Sequence, residues 1–278
     1  MDKTISKILF IAACSSTAIL ALIAIFIFME GVPIMASAGL DSFLFGREWA
    51  PTEGQFGILP FIVGSLCITF GALLLGVPLA IACAVCLAEF TSTRWVNILK
   101  PAIELLAGIP SVVYGFLGVM WLAPLIREHL GGPGLSILAA SCVLAIMILP
   151  TIVSISIDSL QAIPKSYKQG SLALGATEWQ TVWRVQLPAA RSGIFAGIIL
   201  GMGRAVGETM AVIMISGNST AIPGSPLDSV RTLTANIAIE MGYAVGEHRQ
   251  ALFATGVVLF VFIMMLNGVA LKFSRRKF

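Results

Sequence analysis

Charged side chains are scarce in this chain. Asp, Glu, Lys and Arg make up 11% of its 278 residues, where a soluble domain carries roughly 25%. With 58% hydrophobic residues beside that scarcity, a water-soluble globular domain is excluded and an integral membrane protein remains. There are two histidines, His129 and His248, far apart and both outside the apolar runs, so neither a metal site nor a His-based hydrolytic centre is supported. No Gly-Lys dipeptide occurs, so the chain has no phosphate-binding loop of its own. Any uphill movement must draw its energy from a partner chain or an ion gradient. The five cysteines (Cys14, Cys67, Cys83, Cys86 and Cys142) all fall in apolar runs, where a free thiol behaves as a small apolar group. Cys83-x-x-Cys86 has no second pair and no histidine near it, which removes the redox and zinc readings. The basic residues form no stripe interleaved with aromatics, so nucleic acid is not a partner.

What the chain does have is apolar length. Runs able to cross a bilayer, about 20 residues each, fall at 7–29, 57–88, 102–126, 134–158, 192–216 and 250–271. This predicts an all-α membrane protein with six transmembrane helices. Twelve Lys and Arg lie at the N-terminus, in 89–101, in 159–191 and at the C-terminus. The alternate loops hold only Arg47, Arg127, Arg231 and Arg249. Cytoplasmic loops retain the positive residues, which places both termini in the cytoplasm and gives the net charge of +3 its origin. Lys3 and Lys7 before an apolar run imitate a signal peptide, but the run exceeds the usual 7–15 residues, which favours an uncleaved first span.

The fifth run contains GRAVGETMAVIMISGN, residues 203–218, with Arg204 and Glu208 in apolar surroundings. On a continuous helix Gly193, Gly197, Gly201, Arg204 and Glu208 share an arc of about 80°. Small residues every fourth position let helices approach closely, so the arc faces protein. A charge at such depth costs from about 3 to over 10 kcal/mol and marks a pathway by default. Arg204 then offers a permanently charged fork to a passing anion, with Glu208 holding the fork or setting its net charge. The alternative is an Arg–Glu staple that only binds the bundle together. Thr209 and Asn218 carry polar content onward into the 217–249 loop. Ser111 follows Pro110 in LAGIPSVVYG (106–115), where the proline either opens backbone onto a cavity or merely kinks the third span.

The segment 159–191 predicts two short helices. Pro164 suits a first helical position, Gly175 a left-handed cap, and Thr177-x-x-Gln180 a capping box. Leu187-Pro188 is expected to end the second helix and lead into span five. With Tyr167, Leu174, Trp179 and Trp183 as anchors the pair is a docking element for a partner protein, or an interfacial pair lying on lipid headgroups.

Gln169-Gly170-Ser171, three residues, Gly175, nine residues, Val185, one residue and Leu187-Pro188 resemble the E-A-A-x3-G-x9-I-x-L-P loop of ABC-importer permeases. Gln stands in place of the usual Glu. Together with WAPTEGQFGILPFIVGSL (49–66), LLAGIPSVVYGFLGV (105–119) and RTLTANIAIEMG (231–242), the chain resembles phosphate-importer permeases of the PstC type along nearly its whole length. The resemblance implies a MetI-like bundle over roughly 57–268, and a division into an N-terminal helix and outer loop (1–56), a permease domain (57–271) and a basic cytoplasmic tail (272–278). It implies a PstA-like second permease and two PstB-like ATPase subunits that bind ATP and Mg, none being bound here. It also implies a PstS-like phosphate-binding protein outside and a bacterial inner-membrane location. The ATPase-coupling element maps to Gly175, Leu187 and Pro188 with Tyr167, Gln169, Ser171 and Ala176. The phosphate pathway maps to Arg204 and Glu208. Residue chemistry alone leaves sulfate or molybdate, a gradient-driven anion transporter or channel, and a signalling scaffold open.

Overall fold

The computed structural model describes residues 2–275, and of these the side chains at 5–92 and 94–268. Arg276, Lys277 and Phe278 of the expected basic tail lie outside the described residues. Six helices among the described residues are long and apolar enough to cross a membrane: Ile5–Ala38, Leu59–Phe90, Ser111–His129, Ile137–Gln161, Glu178–Gly207 and Gly246–Gly268. The six expected runs are these six helices, with displaced ends.

In chain order the first helix, α1 (Asp2–Ala38), leads through a short α2 (Leu40–Phe45). A two-residue hairpin follows, in which β1 (Trp49–Ala50) pairs antiparallel with β2 (Gln55–Phe56). Helix α3 (Leu59–Val85) continues as a π-helical turn, Cys86–Phe90. Helix α4 (Thr93–Ala107) is amphipathic and largely exposed. Helices α5 (Ser111–Leu117) and α6 (Ala123–His129) are joined by a π-helical turn, Gly118–Leu122. Helix α7 (Ile137–Gln161) is the most buried, and α8 (Lys165–Ala173) and α9 (Glu178–Thr181) form a hairpin beyond it. A π-helical turn, Val182–Gln186, joins α9 to α10 (Leu187–Gly207), followed by α11 (Met210–Ile215), α12 (Leu233–Glu240) and α13 (Gly246–Arg275).

Helix α7 packs along α3 and α10 at the centre of the bundle. The main core includes Ile68, Leu144, Ile148, Ile152 and Ile215, all buried. The expected glycine arc is what lets α10 approach: a Cβ on Gly201 would lie 2.9 Å from Ile152, one on Gly197 3.2 Å from Ile155, and one on Gly193 would strike Ser159. A second core joins α1, the β-hairpin, α12 and α13 around Phe43, Phe61, Leu233 and Leu252. A third, smaller one holds the α8–α9 end together through Val85, Leu160, Val182 and Ile194.

Prolines account for most departures from the expected boundaries. The expected third span, 102–126, is divided: α4 stops at Ala107 and α5 starts at Ser111. Pro110 has no N–H to give and disfavours helical geometry at Ile109, so the ladder cannot run through. Leu187-Pro188 does not end a helix as the sequence predicts. Helix continues from Glu178 to Gly207, because the π-helical turn lets Leu187 N–H reach Val182 O just before the proline. The same device precedes Pro124, where Ala123 N–H reaches Gly118 O. Inserting one residue into the ladder accommodates the bond that a proline cannot make. Pro164 caps α8 instead of opening its first turn.

Candidate functional site

Two helix breaks lie next to each other on a partly exposed side of the bundle, with Gly108, Pro110 and Gly207 exposed. Helix α10 ends at Gly207, and Glu208 adopts extended backbone (φ −68°, ψ 131°) before α11 begins. Glu208 therefore does not continue the arc of Arg204, which corrects the expectation of one continuous helix. Its carboxylate turns to the new helix instead: Glu208 Oε1 accepts from Thr209 N–H and Ala211 N–H, both at 3.1 Å. Its carbonyl accepts from Thr234 Oγ1 at 3.0 Å, tying the break to α12. The other break is Gly108–Pro110, between α4 and α5. Arg204 joins the two, since its Nη2 donates to the Ala107 carbonyl at 3.4 Å. Tyr114 Oη, on α5, spans the same break to Leu106 O at 2.8 Å.

Arg204 is half-buried. Four ion pairs exist among the described residues, and Arg204 is in none of them. The staple with Glu208 is thus not made, and the hydrogen bond of Nη2 to Ala107 O is the one that the guanidinium makes among the described residues. Ser111 begins α5 and is half-buried. Thr209 Oγ1 donates to Gly207 O at 3.2 Å. Asn218 has a different setting: in left-handed backbone (φ 56°) it closes α11, its Nδ2 donating to Ile213 O at 2.7 Å. The structure gathers Arg204, Glu208 and Thr209 around one break, with Ser111 beside the other, and gives Asn218 a turn-forming role.

The α8–α9 hairpin bears the second expected group. Gly175 takes φ +83°, a conformation that glycine adopts at no steric cost. Thr177 and Gln180 form the reciprocal capping box. Ser171 Oγ lies 2.9 Å from Thr181 Oγ1, bracing the two helices. Between them lies a notch of about 440 Å³ lined by Tyr167, Ser171, Leu174, Ala176 and Gln180 among others. Gln169 and Pro188 are exposed, and Leu187 is half-buried at the start of α10. Leu174, at the turn, is 91% exposed, an apolar tip with nothing of its own chain to cover it.

A cluster that sequence reasoning missed lies at the far end of the bundle. Arg231, read there as a loop cation, is half-buried and paired with the buried Glu240 at 2.6 Å. Glu240 also meets His248 Nε2 at 2.7 Å and accepts from Trp49 Nε1 at 2.9 Å. Arg231 donates to Asn236 Oδ1 at 3.0 Å and to Asn218 O at 3.2 Å, and lies 5.8 Å from the Phe61 ring. Both WAPTEGQFGILPFIVGSL and RTLTANIAIEMG supply members, so the two blocks were visible and their pairing was not.

Residues 76–278 match the family described as the binding-protein-dependent transport system inner membrane component. The chain belongs to this family. It is 41% identical to the probable ABC transporter permease protein YqgH of Bacillus subtilis over 96% of this chain and 90% of that protein. To the phosphate transport system permease protein PstC of Xylella fastidiosa it is 36% identical, over 85% of this chain and 80% of the other. To PstC of Pasteurella multocida it is 33% identical, over 91% and 87%. The fold is that of a bacterial alginate ABC importer (TM-score 0.66, 18% identity, 96% of this chain and 95% of that one). It is also that of the inward-facing MetNI methionine ABC transporter (TM-score 0.59, 19% identity, 79% of this chain and 93% of that one). The chain is therefore a multi-pass ABC-importer permease subunit of MetI-like fold, a transport component and not a catalyst.

Proposed function

We propose that this permease carries inorganic phosphate into the cytoplasm, driven by ATP hydrolysed on a separate subunit. The observation that carries the reading is Arg204, a half-buried guanidinium at the junction of two broken helices that no carboxylate among the described residues pairs with. Keeping such a group charged at depth is costly, and a tetrahedral oxyanion is the ligand whose oxygens fit its planar fork. The likeness to PstC permeases supports phosphate among the oxyanions. The α8–α9 hairpin is the ATPase contact, with Leu174 at its tip and Gly175 shaping the turn. That end and both termini face the cytoplasm, and the Arg231–Glu240 end faces the binding protein.

The partners are a PstA-like permease, two PstB-like ATPase subunits holding ATP and Mg, and a PstS-like binding protein. ATP closes the ATPase pair, the hairpins move with it, and the permeases turn outward to receive phosphate. Hydrolysis returns them inward. Arg204 must attract the anion without trapping it, since transport needs exit as well as entry. The solvent-accessible break around it serves that need, because hydration weakens an otherwise deep anion well.

Substrate choice is tested by reconstituting the chain with these partners in vesicles and measuring labelled phosphate uptake against a hundredfold excess of sulfate or molybdate. Uptake is expected to stay within about twofold of the uncompeted rate. A drop in proportion to added sulfate or molybdate would transfer the assignment to that oxyanion.

A further inference from the structure

The hairpin is covalently continuous with α10, but it is also fastened to a helix far from it in sequence. Glu89, in the π-helical turn that ends α3, has a side chain only 9% exposed. Its Oε2 takes a hydrogen bond from Lys168 Nζ of α8 at 2.7 Å, and its Oε1 one from Gln186 Nε2 at 2.8 Å. Gln186 lies in the π-helical turn between α9 and α10 and is itself buried. One carboxylate thus joins three elements, across separations of 79 and 97 residues.

From this geometry we infer that Glu89 is the positioning residue through which the α8–α9 hairpin moves α3, so that the ATPase stroke reaches the far end of the bundle along α3. The inference rests on the coupling role proposed for the hairpin. Three observations carry it. The carboxylate is largely covered while Lys168 keeps 34% of its side chain exposed, and such a part-buried pair holds register more than it adds stability, since apolar side chains of like volume commonly stabilise as well or better. Packing around the latch is incomplete: beside the small apolar core of Val85, Leu160, Val182 and Ile194 lies a cavity of about 670 Å³, lined by Pro78, Phe90, Trp179 and Trp183 among others. The other contacts there are apolar, the Phe90 and Trp179 rings with centroids 6.0 Å apart among them, and apolar contacts lack the directionality of a two-pronged carboxylate. Finally, α3 engages the far end directly. Phe61 underlies Arg231 at 5.8 Å, and Ser65 Oγ accepts from Leu233 N–H at 3.0 Å. A rod held at both ends by polar contacts is built to carry displacement between them.

The test uses the full complex in vesicles and reads phosphate taken up per ATP hydrolysed. Glu89→Gln is expected to assemble and hydrolyse ATP but to deliver at least about tenfold less phosphate per ATP. The exchanged pair Glu89→Lys with Lys168→Glu is expected to return to within about threefold of wild type, a recovery that loss of packing alone would not give. If Glu89→Gln fails to assemble, Lys168→Met decides, because it cuts the same ion pair from its more exposed side. A wild-type ratio in the assembled Glu89→Gln complex, or in Lys168→Met, overturns the inference. A second readout needs no transported ion: spin labels at Leu79→Cys and Lys165→Cys, with the five native cysteines replaced by alanine. The latch predicts one narrow distance with and without ATP, and a broadened, ATP-dependent one after Glu89→Gln. Absent phosphate uptake by the wild-type complex with the expected label distances would overturn the phosphate assignment alone. Equal distances in wild type and Glu89→Gln overturn this inference whatever the transported ion.

Discussion

Replacing Arg204 by Gln is expected to lower phosphate uptake at least about 100-fold while the complex still assembles. The size follows from the bonds removed. Charge-assisted hydrogen bonds contribute about 1.5–3 kcal/mol each, and a fork gripping two oxygens loses two of them. Since each 1.4 kcal/mol is a factor of ten, the loss spans roughly two to four decades. Assembly survives because, among the described residues, Arg204 makes one long bond, to Ala107 O at 3.4 Å, and no ion pair. Arg204→Lys is expected to fall between, keeping the charge without the planar geometry. Initial uptake rates in vesicles, with copurification of partners as the assembly check, measure both variants. Uptake within threefold of wild type in Arg204→Gln would make the guanidinium a structural brace between the two helix breaks.

The second large effect is expected at the opposite end and concerns stability. Glu240→Ala should cost about 3–5 kcal/mol, the range for removing one partner of a buried ion pair and stranding the other. Glu240 has a side chain 8% exposed and bonds to Arg231, His248 and Trp49. Without it the Arg231 guanidinium retains only Asn236, the Asn218 carbonyl and the Phe61 face. Trp49 Nε1 would lose its acceptor. Because α12, α13 and the β-hairpin all meet at this carboxylate, the expected consequence is loosening of the whole end. Thermal unfolding of the purified chain in detergent should show a midpoint lowered by roughly 5–15 °C, taking the size scaling of larger domains. The double variant Arg231→Met with Glu240→Met should recover most of the loss, since no charge is left buried. An unaltered midpoint in Glu240→Ala would show that the cluster is hydrated and carries no load.

The contrast between these sites shows what a sequence exposes. Gly193, Gly197 and Gly201 are legible because a helix repeats, and their arc does meet Ile152, Ile155 and Ser159 of α7. Thr177, Gln180 and Gly175 are legible because a cap is satisfied within four residues. The break at Glu208 is not, since its supports are distant: Thr234 Oγ1 holds the Glu208 carbonyl across 26 residues. Gly207 is the only local signal, and a glycine is tolerated inside helices as well as at their ends. Proline misled in the opposite direction at Leu187-Pro188, where a π-helical turn absorbs the missing bond. The Arg231–Glu240–His248–Trp49 cluster and the Glu89 latch were illegible for a simpler reason. Charges between spans read as loop charges until the fold brings them under cover.

The central claim, an importer permease for phosphate powered by a partner ATPase, is tested most directly by labelled phosphate entering vesicles that hold this chain with its partners. Uptake should require ATP on the hairpin side, the ATPase subunits and the loaded binding protein on the opposite side, and should stop when any one is omitted. Phosphate uptake by this chain alone, driven by an ion gradient without ATP, would contradict it.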